Sequence, residues 1–210
     1  LDIGMNQRLC APLKWDDARS YDRGKLMTAD MLDAGRDFGR YLDVDGDGIP
    51  YRTLPGNTNP RAAWFGRGTG HDENAKYSER ADHWVQNMDR LARKLDTARS
   101  MVPAAVIDER PGAGLGIIAY GTTRYAIDEA RDMLAAEGIV TDFMRVRALP
   151  VGKEVGEFVA RHDRLVVIEM NRDGQLTAIL RDELPEHAAK LKPIAYLDGM
   201  PLTATWVAER

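Results

Sequence analysis

Glu169, Asn171 and Gln175 follow directly on Leu165-Val166-Val167-Ile168, an unbroken apolar tetrapeptide of the kind that forms a strand buried on both faces. Polar residues that crowd in where such a strand ends mark the carboxyl edge of a parallel sheet. On that edge helix N-termini present unpaired N–H groups, and ligands or partner surfaces are met there. With Gly174, which precedes an amphipathic run over residues 176–184, these side chains make a candidate ligand or interface loop. Gly121-Thr122-Thr123 follows another predicted strand in the same way. There Thr122 and Thr123 either hold an anion at a helix N-terminus or cap that helix with a hydroxyl.

Two further clusters carry chemistry. Asp43-Val44-Asp45-Gly46-Asp47-Gly48 sets carboxylates at alternate positions and a glycine at the sixth, as a calcium loop does. Leu54 stands at the twelfth position, where such a loop needs a bidentate Glu. Asp43, Asp45 and Asp47 are therefore candidate cation ligands or, alternatively, the side chains of a tight Asp-Gly turn. Gly68-Thr69-Gly70-His71-Asp72-Glu73 places an imidazole and two carboxylates on a glycine loop, where His71 either donates a proton or orients a substrate carboxylate, or closes a turn at a subunit seam. Gly112-Ala113-Gly114-Leu115-Gly116 is not a nucleotide fingerprint, because its glycines precede the strand instead of following it. No nucleophile has a base beside it, H-E-x-x-H is absent, and His83, His162 and His187 read as surface residues of helices.

These side chains need a scaffold, and the second half of the chain supplies one. Three strand–helix units are predicted: strand 115–120 with helix 125–137, strand 142–146 with helix 152–161, and strand 165–168 with helix 175–184. A last strand covers 193–197. Strands alternating with helices require parallel pairing and right-handed crossovers, so residues 112–210 form a three-layer α/β domain. Its expected core is Ile117, Ile118, Phe143, Val146, Val166, Val167, Ile168, Ile179 and Leu180. Arg110 to Gly116 reads as the linker before it. Residues 1–111 form the other segment: a breaker-rich stretch over 10–68 with one short helix at 28–38, then a long helix opened by Ser78 or Glu79 and ending before Pro103. Trp84, Val85, Met88, Leu91, Ala92, Leu95 and Ala98 share one face of it and are expected to pack inward, whereas Arg80, Asp82, Asp89, Arg90, Arg93 and Lys94 on the other face are expected to be solvated or to meet a subunit.

Composition limits the partners. A net charge of −4 with dispersed Lys and Arg leaves no electrostatic footprint for nucleic acid or an anionic membrane. Cys10 is the single cysteine, so the chain cannot by itself hold an iron–sulfur cluster, and a reducing cytoplasm fits best. No apolar run approaches the roughly 20 residues a membrane helix needs. Leu1-Asp2-Ile3-Gly4-Met5-Asn6, which lacks an initiator Met, reads as the end of a buried strand and is taken as a cut in a longer polypeptide.

The order of Leu1–Asn6, Asp22-Arg23-Gly24-Lys25, the run Phe38 to Gly56 through the Asp loop, Gly68-Thr69-Gly70-His71-Asp72-Glu73, and Glu169-Met170-Asn171 through Gly174-Gln175 resembles the alpha subunit of bacterial 2-oxoglutarate:ferredoxin oxidoreductase across the whole chain. The resemblance implies oxidative decarboxylation of 2-oxoglutarate to succinyl-CoA on thiamine diphosphate, with electrons passing through an iron–sulfur cluster to ferredoxin. It implies a heterotetramer of beta subunits and two alpha subunits, with CoA as a substrate and with the diphosphate, its magnesium and the cluster on the beta subunit. Under it, residues 1–111 trail a pyrimidine-binding domain and 112–210 are similar to the transketolase C-terminal domain. The Tyr-Pro-Ile-Thr-Pro motif of the family is missing, Met170 replaces the usual Gln, and the chain alone is expected to be inactive. A non-catalytic dimerisation or scaffold module, and the equivalent subunit of a pyruvate- or branched-chain 2-oxoacid oxidoreductase, are the alternatives.

Overall fold

The computed structural model describes residue 12 and residues 14–66 and 68–210, so the expectations for 1–6 and for Cys10 fall outside the described residues. The chain separates into two compact units, one formed by Leu13–Met101 and the other containing Val102–Arg210.

In the first unit, helix α1 is only Ala29–Asp33, opened by Thr28, whose hydroxyl accepts from the Met31 N–H. The predicted helix over 28–38 is cut short where Gly35 turns the chain with φ of +83°. Met27, Leu32 and Ala62 make its small core, with Met31, Phe38 and Tyr51 packed on it. The long helix is α2, Ala81–Arg99. Its orientation overturns the expectation: Asn87 and Arg90 are its buried residues, while Trp84, Val85, Met88, Leu91 and Leu95 are exposed. Polar groups face inward because loop carbonyls are there to receive them. Asn87 donates to the His71 carbonyl at 2.6 Å and Arg90 to that of Gly48 at 3.3 Å. Gly48 lies so close to the helix that an added Cβ would come within 2.3 Å of the Lys94 nitrogen.

The second unit is a five-stranded sheet: β1 Val106–Asp108, β2 Leu115–Tyr120, β3 Thr141–Val146, β4 Leu165–Glu169 and β5 Leu191–Ala195. Their order is β1-β3-β2-β4-β5, with β1 antiparallel to β3 and every other pairing parallel. The helices are α3 Arg124–Ala136, α4 Lys153–Arg161, α5 Gln175–Glu183 and α6 Ala204–Ala208. Alternate strand residues serve opposite faces. Ile118, Met144, Leu165 and Val167 pack with Val155 and Phe158 of α4 and Leu176 and Leu180 of α5. Ile117, Phe143 and Ile168 pack instead with Ile127 and Ala130 of α3 and Val207 of α6. The three-layer α/β expectation holds. Two core residues do not: Ile179 is exposed on the outer side of α5, and Val166 is only partly buried.

Strand β1 and helix α6 were not predicted, and the last strand starts at Leu191 and not at Pro193. Strand β1 is held by Arg131, a fully buried side chain that reaches the Asp108 carboxylate at 3.0 Å, the Asp108 carbonyl at 3.1 Å and the Thr141 carbonyl at 2.8 Å. His162, expected at the surface, is buried at the end of α4. Its Nε2 lies 2.9 Å from Asp142 and its Nδ1 2.8 Å from the Phe158 carbonyl, while Asp142 also accepts from the Arg110 N–H at 2.8 Å. The segment read as a linker is thereby tied to the sheet. Among the described residues no helix is long and apolar enough to cross a membrane.

Candidate functional site

The turn from β4 into α5 carries the most polar groups at the carboxyl edge of the sheet. Glu169 ends β4 fully buried, which demands that both carboxylate oxygens be satisfied. Oε2 accepts from the Leu176 N–H at 2.7 Å and the Asn171 amide at 2.6 Å, and Oε1 from the Thr177 N–H at 3.1 Å and its hydroxyl at 2.9 Å. Glu169 therefore sits on the unpaired N–H groups of the first turn of α5, where a negative charge also meets the positive end of the helix. Gly174 closes the turn in the left-handed region, with φ of +65°. Asn171 completes it, its Oδ1 accepting from the N–H groups of Asp173 and Gln175 at 3.2 Å. The structure thus brings Asn171, Gly174 and Gln175 into one turn, with the Gln175 side chain exposed.

At the edge of β2, Gly121–Thr123 is a 3-10 turn that leads directly into α3. Thr123 is buried and helical, and its hydroxyl makes no cap bond to α3. Thr122 is half-buried.

His71 lies in the first unit. Its ring packs on that of Tyr41 at 4.0 Å, and the Asn87 amide, 3.1 Å from Nδ1, donates to that nitrogen and leaves the ring proton of the neutral form on Nε2. Two guanidiniums also lie over the Tyr41 ring, that of Arg40 at 5.3 Å and that of Arg90 at 5.7 Å. The Nε atoms of both are buried with no hydrogen-bond partner, and the ring faces of Tyr41 and, for Arg40, of Trp64 at 5.0 Å are what they meet instead. Burial pulls the Arg90 pKa below its ordinary value, and Arg40 and Arg93 add to that while Asp43 opposes it. Beside His71 opens a depression of about 480 Å³ lined by Thr69, Ser78, Arg80, Trp84 and Val85 among others. The arrangement can present an imidazole Nε2–H to a small acceptor.

In the Asp loop the carboxylates face cations of the chain itself. Lys25 Nζ is 2.7 Å from both Asp45 and Asp47. Asp43 accepts from the Gly48 N–H at 3.0 Å and pairs with Arg93 at 3.1 Å. Burial works against the Lys25 charge, but the hydrogen bonds it donates to Asp45 and Asp47, with their negative charge, outweigh it and raise its pKa, while Lys25 lowers those of both carboxyls. Among the described residues no three His, Cys, Asp or Glu side chains are grouped to hold a metal ion.

Glu169 was singled out with its loop, but Lys25, Asn87 and Arg90 were not read as site residues. Lys25 stands 20 residues from Asp45, and nothing local in the sequence announces the pairing.

No family model matches the chain. The subunit alpha of 2-oxoacid:ferredoxin oxidoreductase 2 from Aeropyrum pernix is 30% identical over 194 residues, which cover 89% of this chain and 28% of that protein. This chain is similar to a 2-oxoacid:ferredoxin oxidoreductase alpha subunit. The resemblance read from the sequence is borne out. The fold is shared with 2-oxoglutarate:ferredoxin oxidoreductase from Magnetococcus marinus, solved with 2-oxoglutarate, coenzyme A and succinyl-CoA bound, at a TM-score of 0.72 and 24% identity over 85% of this chain and 31% of that one. The alpha-subunit-like chain thus spans less than a third of either relative.

Proposed function

We propose that this chain is a portion of the alpha subunit of a thiamine-dependent 2-oxoglutarate:ferredoxin oxidoreductase and works in the cytoplasm as part of a heterotetramer. The observation that carries the reading is the colinear similarity to the Aeropyrum pernix alpha subunit over 89% of the chain. Residues 1–111 then trail a pyrimidine-binding domain, and 112–210 are the transketolase C-terminal-like domain. The partners are a beta subunit, a second alpha subunit and ferredoxin, and the substrates are 2-oxoglutarate and CoA. The substrate choice is supported by the fold neighbour solved with 2-oxoglutarate, coenzyme A and succinyl-CoA bound.

The donor set of the described residues does not fit the implied cofactors. Their acidic clusters are engaged by Lys25, Arg93 and the α5 N-terminus, and no metal-ligand group is assembled. Thiamine diphosphate, magnesium and the iron–sulfur cluster are placed on the beta subunit in this reading, as the family resemblance implies. What this chain contributes is positioning: Gln175 and Thr122 at the carboxyl edge of the sheet for a partner or ligand, Asn171 and Gly174 shaping the turn that presents Gln175, and His71 as a wall residue of the assembled site. We assign Asp43, Asp45 and Asp47 to a loop clamped by the chain's own cations, Asp45 and Asp47 by Lys25 and Asp43 by Arg93, in place of a divalent ion.

A scaffold role is the competing reading, favoured by one observation: the Glu169 carboxylate and the Asn171 side chain are both spent inside the β4–α5 turn. The complex containing this chain separates the readings. Viologen dye reduction that requires 2-oxoglutarate and CoA supports the first, activity only with pyruvate or a branched-chain 2-oxoacid reassigns the substrate, and no activity with any 2-oxoacid leaves the scaffold.

A further inference from the structure

At the end of the second unit opposite the β4–α5 turn lies a cavity of about 610 Å³. Its floor includes Ile117 of β2, Val166 of β4 and Ile194 of β5, residues that the strand pleat sets on one face, and Leu134 of α3 and Val207 of α6 wall it. Val166, which a central strand should bury, is only partly buried because it faces this space. Asp163 and Arg164 precede β4 and Lys190 precedes β5, so the mouth is on the amino edge of the sheet. Such an apolar lining offers water few hydrogen-bond partners, and the volume falls within the roughly 300–1,000 Å³ of small-molecule pockets. Charge says what the occupant carries. Arg164, Lys190 and Lys192 line the cavity against one acid, Asp163, in a chain of net charge −4. Among the described residues these three cations form no ion pair. Lys190 Nζ is fixed instead on the carbonyls of Ala160 at 3.1 Å and His162 at 3.2 Å, which leave its charge unmatched. Elsewhere in the unit cations are matched: in the depression beside α3, Arg110, Arg124 and Arg131 are paired with Asp132, Asp128 and Asp108.

We propose that this cavity binds a small carboxylate with an apolar tail, a short- or medium-chain fatty acid, with the tail on Ile117, Val166 and Ile194 and the head at Arg164 and Lys192. The Arg fork matches the two oxygens of a carboxylate, and the ammonium adds a point charge beside it. The site shares no residue with the β4–α5 turn or with the depression at His71, and the proposal does not rest on the enzymatic reading.

The test is titration calorimetry of hexanoate, octanoate and decanoate, below their micellar range, into the purified complex that contains this chain. Affinity is expected to rise about three- to fourfold for each CH₂ buried. Octanol and octylamine carry the tail without the negative head and are expected to bind roughly tenfold more weakly than octanoate, or worse. In Arg164→Gln/Lys192→Gln both side chains are exposed, so folding is expected to persist and is checked by circular dichroism, while octanoate affinity falls by roughly tenfold. Location is read with a diazirine-bearing octanoate, whose photoproducts are expected on peptides containing Leu134, Val166 or Ile194. No binding, equal affinity for octanoate and octanol, an affinity untouched by the double substitution, or cross-links only outside the cavity overturns the proposal. None of these measurements follows turnover, so their failure is distinct from failure of the enzymatic reading.

Discussion

Glu169 shows how a single buried charge can be structural in a place that looks functional. Its four hydrogen bonds include two to backbone N–H groups at the start of α5, and truncation removes them all while leaving those donors buried. Glu169→Ala should cost about 2–4 kcal/mol in urea unfolding, whereas Asn171→Ala, which frees the Glu169 carboxylate of one partner and the backbone of two, should cost about 1–2 kcal/mol. Equal costs for the two would mean that Glu169 is not the cap. Lys25 makes a pH-dependent claim. Its folded pKa is raised above 10.5, so what it contributes is complete below that value and lost as pH rises beyond it. Those of Asp45 and Asp47 are lowered below 3.8, so their contribution is complete above 3.8 and lost as pH falls through the lowered values. Fluorescence of the first unit should therefore be flat between these limits, and Lys25→Met, which leaves two neighbouring carboxylates unmatched, should bring the acidic transition to higher pH. An unchanged acid limb would contradict the clamp. His71→Ala in the assembled complex should lower turnover by roughly tenfold or more. Asn87→Leu, which leaves the imidazole in place but removes the donor to Nδ1, should act in the same direction with a smaller effect. Unchanged kinetics in both would return His71 to a turn-closing role.

At the scale of elements, legibility followed burial. Strands β2, β3 and β4 were readable because strands buried on both faces, such as Ile117-Ile118 and Val167-Ile168, leave an apolar signal that few other structures produce, and helices α3 to α5 because they alternate with them. Strand β1 left none: it is three residues long, with Ile107 half-buried between more exposed neighbours, and its place depends on the distant Arg131. Helix α2 was legible as a helix but not in its orientation. Periodicity says that an apolar face will be covered and is silent on what covers it, and the loops at Gly48 and His71 offer carbonyls that only polar side chains can satisfy. The domain proposal also needs a boundary set by this sheet. Limited proteolysis should leave a resistant fragment that retains Val106–Asp108, because β1 is paired to β3 from Val106 to Asp108. A fragment that starts at 112 with its stability intact would show β1 to be dispensable.

For the molecule as a whole, the candidate site residues were legible only as types. The Asp loop could be read as a cation site or a tight Asp-Gly turn, because spacing reports carboxylates and not the lysine 20 positions upstream of Asp45. The same holds for the β4–α5 turn, whose polar crowding is real but largely spent on the fold. The central claim is that this chain contributes to 2-oxoacid oxidation only within an assembly. It is tested most directly by following viologen reduction with 2-oxoglutarate and CoA in two samples, the purified chain alone and the purified complex of the full-length alpha subunit with its beta subunit. The account predicts no reduction in the first sample and CoA-dependent reduction in the second. Reduction by the chain alone, or none by the complex with any 2-oxoacid, would contradict it.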